Sequence, residues 1–236
     1  MKHSKADMKA DMKILSYNIH RCSQEKIDYV LSRGADIMVL PECACPEQVK
    51  LPDGYAMTWH GDEATKWKGL GVIWRCTVNC RVADWYDESH KYMIPLIIED
   101  KWLLLAAWPT MLPTEKKSYP QILLECLKAY SEPIKAMPTM ITGDFNCYIG
   151  QGGVSKQTGT FEQCIEYMKE IGLHSEYHER THEEFGKESC HTYHHQFKED
   201  MPFFLDYTFT NIPLFAYMIG GWERKVSDHN PQIIVI

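Results

Sequence analysis

Apolar and polar positions alternate along the chain in short runs, and the spacing inside each run sorts it into strand or helix. Residues 13–17 (Lys-Ile-Leu-Ser-Tyr) and 36–41 (Asp-Ile-Met-Val-Leu-Pro) are apolar runs of strand length. Between them Ile27, Val30 and Leu31 recur at helical spacing, with Ser23 as a candidate N-cap and Gly34 as a terminator. The segment therefore predicts strand, helix, strand. Further strands are expected at 69–75, 78–84, 93–98 and 102–108, rich in Val, Ile, Leu and Trp. A second helix is expected from Tyr119 to Tyr130, with Ile122, Leu123, Cys126 and Leu127 on one side and Pro133 closing it, followed by a strand at 138–143. Thr160 and Gln163 form a capping-box pattern ahead of Cys164, Ile165, Met168 and Ile171, with Gly172 at the far end. The last third carries apolar runs at 203–209 and 232–236. No repeat, low-complexity tract or linker interrupts the pattern, so residues 12–236 read as one α/β domain.

Composition narrows the class. With 236 residues, 44% of them hydrophobic and 24% charged, the chain can bury a sizeable core. The longest apolar run, Trp102 to Trp108, falls far short of the roughly 20 residues of a membrane-spanning helix. Residues 1–11 alternate Lys, Asp and Met without an apolar core, so they read as an extension and not a secretory signal. Nine cysteines without an export signal fit a reducing, cytoplasmic setting. Cys76, Cys80, Cys126 and Cys164 read as small packing residues. A net charge of −7 provides no global basic field for nucleic acid, although loop cations and a bound metal can supply positive potential locally.

Strand ends carry the candidate chemistry. Asn18 follows Ile14-Leu15-Ser16-Tyr17, Glu42 follows Val39-Leu40-Pro41, and Asp144 and Asn146 follow Met140-Ile141-Thr142-Gly143. Asp206 sits inside Phe203 to Tyr207, and Asp228-His229 precede Ile233 to Ile236. Any one of these is unremarkable as a turn residue. Together they mark the strand-end edge where α/β enzymes place ligands and catalysts.

Tyr17-Asn18-Ile19, Leu40-Pro41-Glu42, Gly143-Asp144-Phe145-Asn146, Leu205-Asp206-Tyr207 and Ser227-Asp228-His229-Asn230-Pro231, in that order, resemble the ordered motifs of the endonuclease/exonuclease/phosphatase superfamily. The resemblance runs from about Lys13 to the C-terminus, and Lys68-Gly69-Leu70-Gly71 resembles small bacterial members. It implies a four-layer sandwich of two packed mixed β-sheets flanked by helices. It also implies a hydrolase of phosphoester bonds that uses Mg²⁺ or Mn²⁺, ions that hard oxygen ligands suit. By the resemblance Glu42 is the principal metal ligand, with Asn18 and Asp228, and Asp144 orients and deprotonates water. Asn146 and His229 would contact phosphoryl oxygens, with Asp206 holding the imidazole in one tautomer. Where family members commonly carry a histidine or tyrosine, this sequence offers Trp108, which can donate one hydrogen bond or stack on a ring but carries no charge.

The expected substrate is a nucleic-acid phosphodiester, cleaved by a monomer. A small phosphorylated metabolite or lipid is the second expectation, and a catalytically idle binding module is a third. Lys156, in the glycine-rich stretch after Asn146, is expected to reach substrate, and Lys66, Lys68, Lys116 and Lys117 are further loop cations. Trp59, Trp67, Trp74, Trp85, Trp102 and Tyr86 read as core and rim aromatics, since no basic interleaving accompanies them. His178-Glu179-Arg180-Thr181-His182 matches the zinc-protease pattern, but its flanks give no buried helix stripe and Gly186 is one residue out of register for the extended form. It reads as part of a polar, His-rich surface segment, 174–195.

Overall fold

A computed structural model describes residues 11–110, 117–157 and 159–236. Residues 1–10 of the expected extension, and Lys116, lie outside the described residues.

Strand β1 (Lys13–Ser16), helix α1 (Gln24–Ser32) and strand β2 (Ile37–Cys43) form the expected opening unit, with β1 and β2 parallel. The Ser23 side chain accepts from Lys26 N and caps α1. Strands β3 (Tyr55–Gly61) and β4 (Gly69–Arg75) follow, and β4 pairs antiparallel with both β2 and β3. The pattern of apolar and polar residues does not mark β3, because every one of its residues is only half-buried and no clean alternation shows. Next come β5 (Cys80–Val82), β6 (Met93–Ile98), β7 (Trp102–Ala107), α2 (Tyr119–Ala129), α3 (Ser131–Ala136) and β8 (Thr139–Asp144). Pro133 does not end a helix: it lies in the first turn of α3, where a missing N–H loses nothing.

The remainder comprises α4 (Phe161–Glu170), β9 (His174–Ser175), α5 (Glu176–Thr181), β10 (Tyr193–His194), β11 (Pro202–Phe203), β12 (Asp206–Thr210), β13 (Ala216–Ile219) and β14 (Gln232–Val235). The capping box of α4 is formed, with Thr160 accepting from Gln163 N and Gln163 accepting from Thr160 N. The apolar run 203–209 divides between β11 and β12.

Among the described residues the strands make two mixed six-stranded sheets, ordered β13-β14-β1-β2-β4-β3 and β5-β6-β7-β8-β12-β9, and a small β10-β11 ribbon. Strand pleating explains the layering. Ile14, Ile37, Val39, Leu70 and Val72 pack into the core shared with the second sheet, while Leu15, Met38, Leu40 and Ile73 join Ile27 and Val30 of α1 on the other face. On the outside of the second sheet α2 and α4 contribute Ile122, Leu123, Cys126, Phe161, Cys164 and Met168. The expected α/β sandwich of two packed mixed sheets with helices outside is the fold observed. Cys126 and Cys164 are buried as expected, whereas Cys76 is exposed.

Topology fixes where chemistry collects. Strands β1 and β2 are parallel, as are β7 and β8, so their C-terminal ends share one edge of the sandwich. Strands β12 and β14 run antiparallel to β8 and β1, and so begin at that edge.

Candidate active site

Seven residues from five places in the chain meet there. Asp144 ends β8 and pairs directly with Asp206 at the start of β12. Gly143, one residue earlier, adopts φ +150°, and a Cβ on it would stand 1.9 Å from Ala107 O, so this close approach of β7 and β8 admits glycine alone. Asn18 lies just past β1 and sends its side-chain N–H across to Asp144 Oδ2 at 2.9 Å, joining the two sheets. Its Oδ1 accepts from His20 N at 2.9 Å. Ser227 braces the same corner, donating to Asn18 O at 2.6 Å and accepting from His229 N at 3.0 Å.

Glu42 is the extra residue of a β-bulge between Pro41 and Cys43, and sits at φ +60°. Such strain in a residue other than glycine marks functional positions and re-aims the side chain out of the ladder. The carboxylate lies 3.4 Å from the Lys68 ammonium. Lys68 is in turn 5.3 Å from the centroid of the Trp108 ring. Trp108, just past β7, has its backbone N–H bonded to Tyr92 O at 2.8 Å.

At the centre His229 Nδ1 lies 2.8 Å from Asp206 Oδ2, and His229 Nε2 lies 3.9 Å from Asp144 Oδ2. All three side chains are buried. Burial works against charge on His229, but Asp206 and Asp144 outweigh it and raise the imidazole above its ordinary pKa. Burial likewise raises Asp144, with His229 opposing, and raises Asp206. Burial also disfavours charge on Asp228, yet the neighbouring His20 and His229 rings outweigh it and keep that carboxyl below its ordinary value. Tyr193 covers His229, with ring centroids 4.7 Å apart, and Thr192 Oγ1 accepts from the Leu205 and Asp206 N–H groups.

Asn146 adopts φ +51°, with its backbone N–H donating to Asp144 Oδ1 at 2.9 Å and its side chain to Pro109 O at 3.0 Å. Lys156 is placed elsewhere, in a groove with Gln121, Leu124, Lys128 and Gln163 between α2 and α4. The structure thus brings together Asn18, Glu42, Asp144, Asn146, Asp206, Asp228 and His229, adds Trp108 through Lys68, and sets Lys156 apart.

The donor set fits a hard divalent cation. Glu42 supplies a carboxylate in contact with solvent, and Asp228 Oδ1 is buried without an aligned hydrogen-bond donor, although His20 Nδ1 approaches to 3.2 Å. Asn18 brings an amide oxygen to the same corner. Carboxylate and amide oxygens suit Mg²⁺ or Mn²⁺ better than zinc. Among the described residues, the His, Cys, Asp and Glu group with ligand atoms gathered within 4.8 Å is Asp144, Asp206 and His229. There His229 Nδ1 and Asp206 Oδ2 share a proton, which withdraws one lone pair on each from any ion.

The His-rich segment builds something else. Helix α5 ends at Thr181, and His182 is its left-handed cap at φ +59°. His178 is bonded to Ser175 and Glu188 and stacked on Phe185 at 3.6 Å. The two histidines of the protease-like pattern therefore share no helical face. Residues that sequence reasoning missed are His20, Thr192 and Tyr193: none follows a strand motif, and only the tertiary fold carries them to the site. Lys68 is one of the loop cations of the sequence, and the fold makes it the partner of Glu42.

No protein-family model and no curated protein matches the sequence. Solved structures do. The chain is similar to the endonuclease domain of TRAS1, a telomere-specific non-LTR retrotransposon, at 15% identity over 96% of this chain and 98% of that one, with a TM-score of 0.68. It is similar to the AP endonuclease LMAP from Leishmania major at 11% identity over 96% and 87%, TM-score 0.61. It also resembles a functionally unknown conserved protein from Enterococcus faecalis at 12% identity over 95% and 99%, TM-score 0.60. At such identities the likeness is one of backbone architecture alone, and that architecture is shared with these two endonuclease structures.

Proposed function

We propose that the protein hydrolyses phosphoester bonds with a divalent cation held by Glu42, Asn18 and Asp228, and that its substrates are nucleic-acid phosphodiesters. The observation that carries the reading is the buried Asp206–His229 pair facing Asp144 beside Glu42. When bound, the cation would neutralise charge on the phosphoryl group and its leaving oxygen.

The chain's own residues account for the rest. Asp206 fixes His229 Nδ1, so Nε2 points outward from the pair as a donor toward a phosphoryl oxygen. Two flanking carboxylates keep the ring protonated, so it meets the anion as a cation. Asp144 retains free lone pairs beyond its bonds from Asn18 and Asn146, and accepts a proton from the attacking water. The water oxygen then bonds to phosphorus as the ester P–O bond breaks on the opposite side. Asn146 holds the loop that presents Asp144 and offers its remaining amide hydrogen to substrate. Lys156, if it meets substrate, does so at a distance from this centre, on a longer ligand.

Activity should require added Mg²⁺ or Mn²⁺ and fall to background in excess chelator and in Glu42→Gln. A product screen across duplex DNA, single strands, RNA and phosphorylated metabolites tests both the reaction and its substrate. Full turnover in chelator would overturn the metal assignment, and turnover of metabolites alone would replace the nuclease reading with a phosphatase.

A further inference from the structure

On the Glu42 side of the site, reached through Lys68, is a cavity of about 160 Å³, bounded by Trp67, Trp108, Tyr92, His60, Lys68 and Lys91. Its makeup is unusual in one respect: among the described residues, no aliphatic side chain lines it. Four rings and two ammonium groups make up most of its walls, with the Asp62 carboxylate and the Thr65 and Thr110 hydroxyls between them, a combination suited to a flat, hydrogen-bonding ring and poorly suited to an acyl chain. The volume is comparable to the ~150 Å³ that admits a benzene-sized ligand.

The cavity is built into the fold. Gly61 and Gly69 pair across β3 and β4, and the Trp59 indole lies over them so closely that a Cβ on either would stand within 2.5 Å of its ring. The Trp59 N–H donates to Cys43 O at 2.9 Å, tying this floor to the residue after Glu42. From that floor a short turn carries Trp67 and Lys68 over the opening, closed by Asp62 accepting from Ala64 N at 2.8 Å and by Lys68 N donating to Thr65 O at 2.9 Å. Cys45 N donating to Lys66 O at 2.8 Å fastens the turn to the segment after β2. Trp67 is thus a held aromatic, yet 48% exposed, a large apolar surface left facing solvent at the mouth of the cavity. Lys68 links cavity and centre, since its ammonium lies between the Trp108 ring and Glu42.

We propose that this cavity is a stacking subsite for an unpaired nucleobase of the substrate. The base stacks on the exposed face of Trp67, with the buried Trp108 as the inner wall, and its phosphate passes Lys68 to reach Glu42 and His229. A paired base inside a duplex presents only its edge and cannot enter, so the subsite selects single-stranded or locally opened nucleic acid. The inference rests on the phosphoester-hydrolase reading for the route of the phosphate, but the cavity can be tested without turnover.

With chelator present, adenosine 5′-monophosphate and ribose 5-phosphate are titrated into the parent protein, Trp67→Ala and Trp67→Phe, following heat by calorimetry and indole N–H signals by NMR. The Trp67 signal is identified by its loss in Trp67→Ala. The nucleotide should bind the parent at least tenfold more tightly than the sugar phosphate and move the Trp67 signal, which the sugar phosphate should leave in place. Trp67→Ala should erase tenfold or more of that preference, and Trp67→Phe should keep most of it. Trp67 is exposed enough that neither change threatens folding. Equal affinities in the parent, or a preference untouched in Trp67→Ala, would overturn the subsite. A base preference in a protein that cleaves no phosphoester in the metal screen would support the subsite and sink the hydrolase reading; cleavage without base preference would do the reverse.

Discussion

Asp144 and His229 depend on each other at the level of single atoms. Each is buried where an isolated charge would be costly, and each is made tenable by the other and by Asp206. Such a pair is suited to moving one proton, with the imidazole favouring the charged form and the carboxyl raised toward accepting. We expect Asp144→Asn and His229→Ala each to lower turnover by roughly 10²–10⁴-fold, the range for a positioned proton-transfer group. Circular dichroism and thermal melting should show both variants folded, so that loss of rate reports on chemistry. A folded variant with parental turnover would remove that residue from the mechanism.

Among the elements, α5 and the loop after it show how a motif can mislead. The residues resembling a zinc-protease helix are organised around Glu183. Its carboxylate accepts from Tyr177 OH at 2.6 Å, Ser189 N at 2.9 Å and Ser189 Oγ at 2.5 Å, closing the segment into a loop. Those bonds, chiefly from Ser189 and then Tyr177, lower its pKa from 4.5 to about 2. A carboxyl depressed in the folded state adds stability that is complete above its unfolded pKa and disappears as pH falls through the folded one. The contribution of Glu183 is therefore present above pH 4.5 and lost toward pH 2. Melting temperatures measured across that window should fall less steeply with acid in Glu183→Gln than in the parent. Parallel curves would show that the loop bonds add nothing to stability.

For the whole molecule the decisive quantity is charge. A net charge of −7 opposes a polyanion, and the fold then spends several of the candidate cations on its own carboxylates: Lys66 on Glu47 at 2.8 Å, Lys68 on Glu42 at 3.4 Å and Lys117 on Glu125 at 2.7 Å. Among the described residues, that leaves Lys156 of these candidate cations to displace counterions from a nucleic acid. Each phosphate contact contributes about −0.7 to −0.9 to the slope of log affinity against log salt, so binding of an oligonucleotide should show a slope no steeper than about −3. Affinity would then come from the metal centre and from stacking. Fluorescence anisotropy over a salt series measures the slope, and a value steeper than about −5 would contradict this account. Among the described residues no helix is long and apolar enough to cross a membrane.

Much of this was legible in the order of residues because its causes are local. Pleating sorts Ile14 from Leu15 and Val39 from Leu40 between the two faces of one sheet, so alternation in the sequence already marks strands and core. Capping is local too, and Ser23 and Thr160 begin the helices their side chains predict. The motif residues Asn18, Glu42, Asp144, Asp206 and His229 could be singled out because polar groups at strand ends are conspicuous against apolar runs. What tertiary structure alone decided is nonlocal. Packing of the two sheets against each other puts Asn18 on Asp144, 126 residues away, and a bulge opposite Leu70 and Gly69 aims Glu42 at Lys68. Loop paths bring His20, Thr192 and Tyr193 to the centre and leave Lys156 against α2 and α4. The same packing turns Trp67 from a residue expected among core and rim aromatics into the exposed wall of a cavity, because side-chain surroundings are set by strands that meet in space and not by neighbours in the chain.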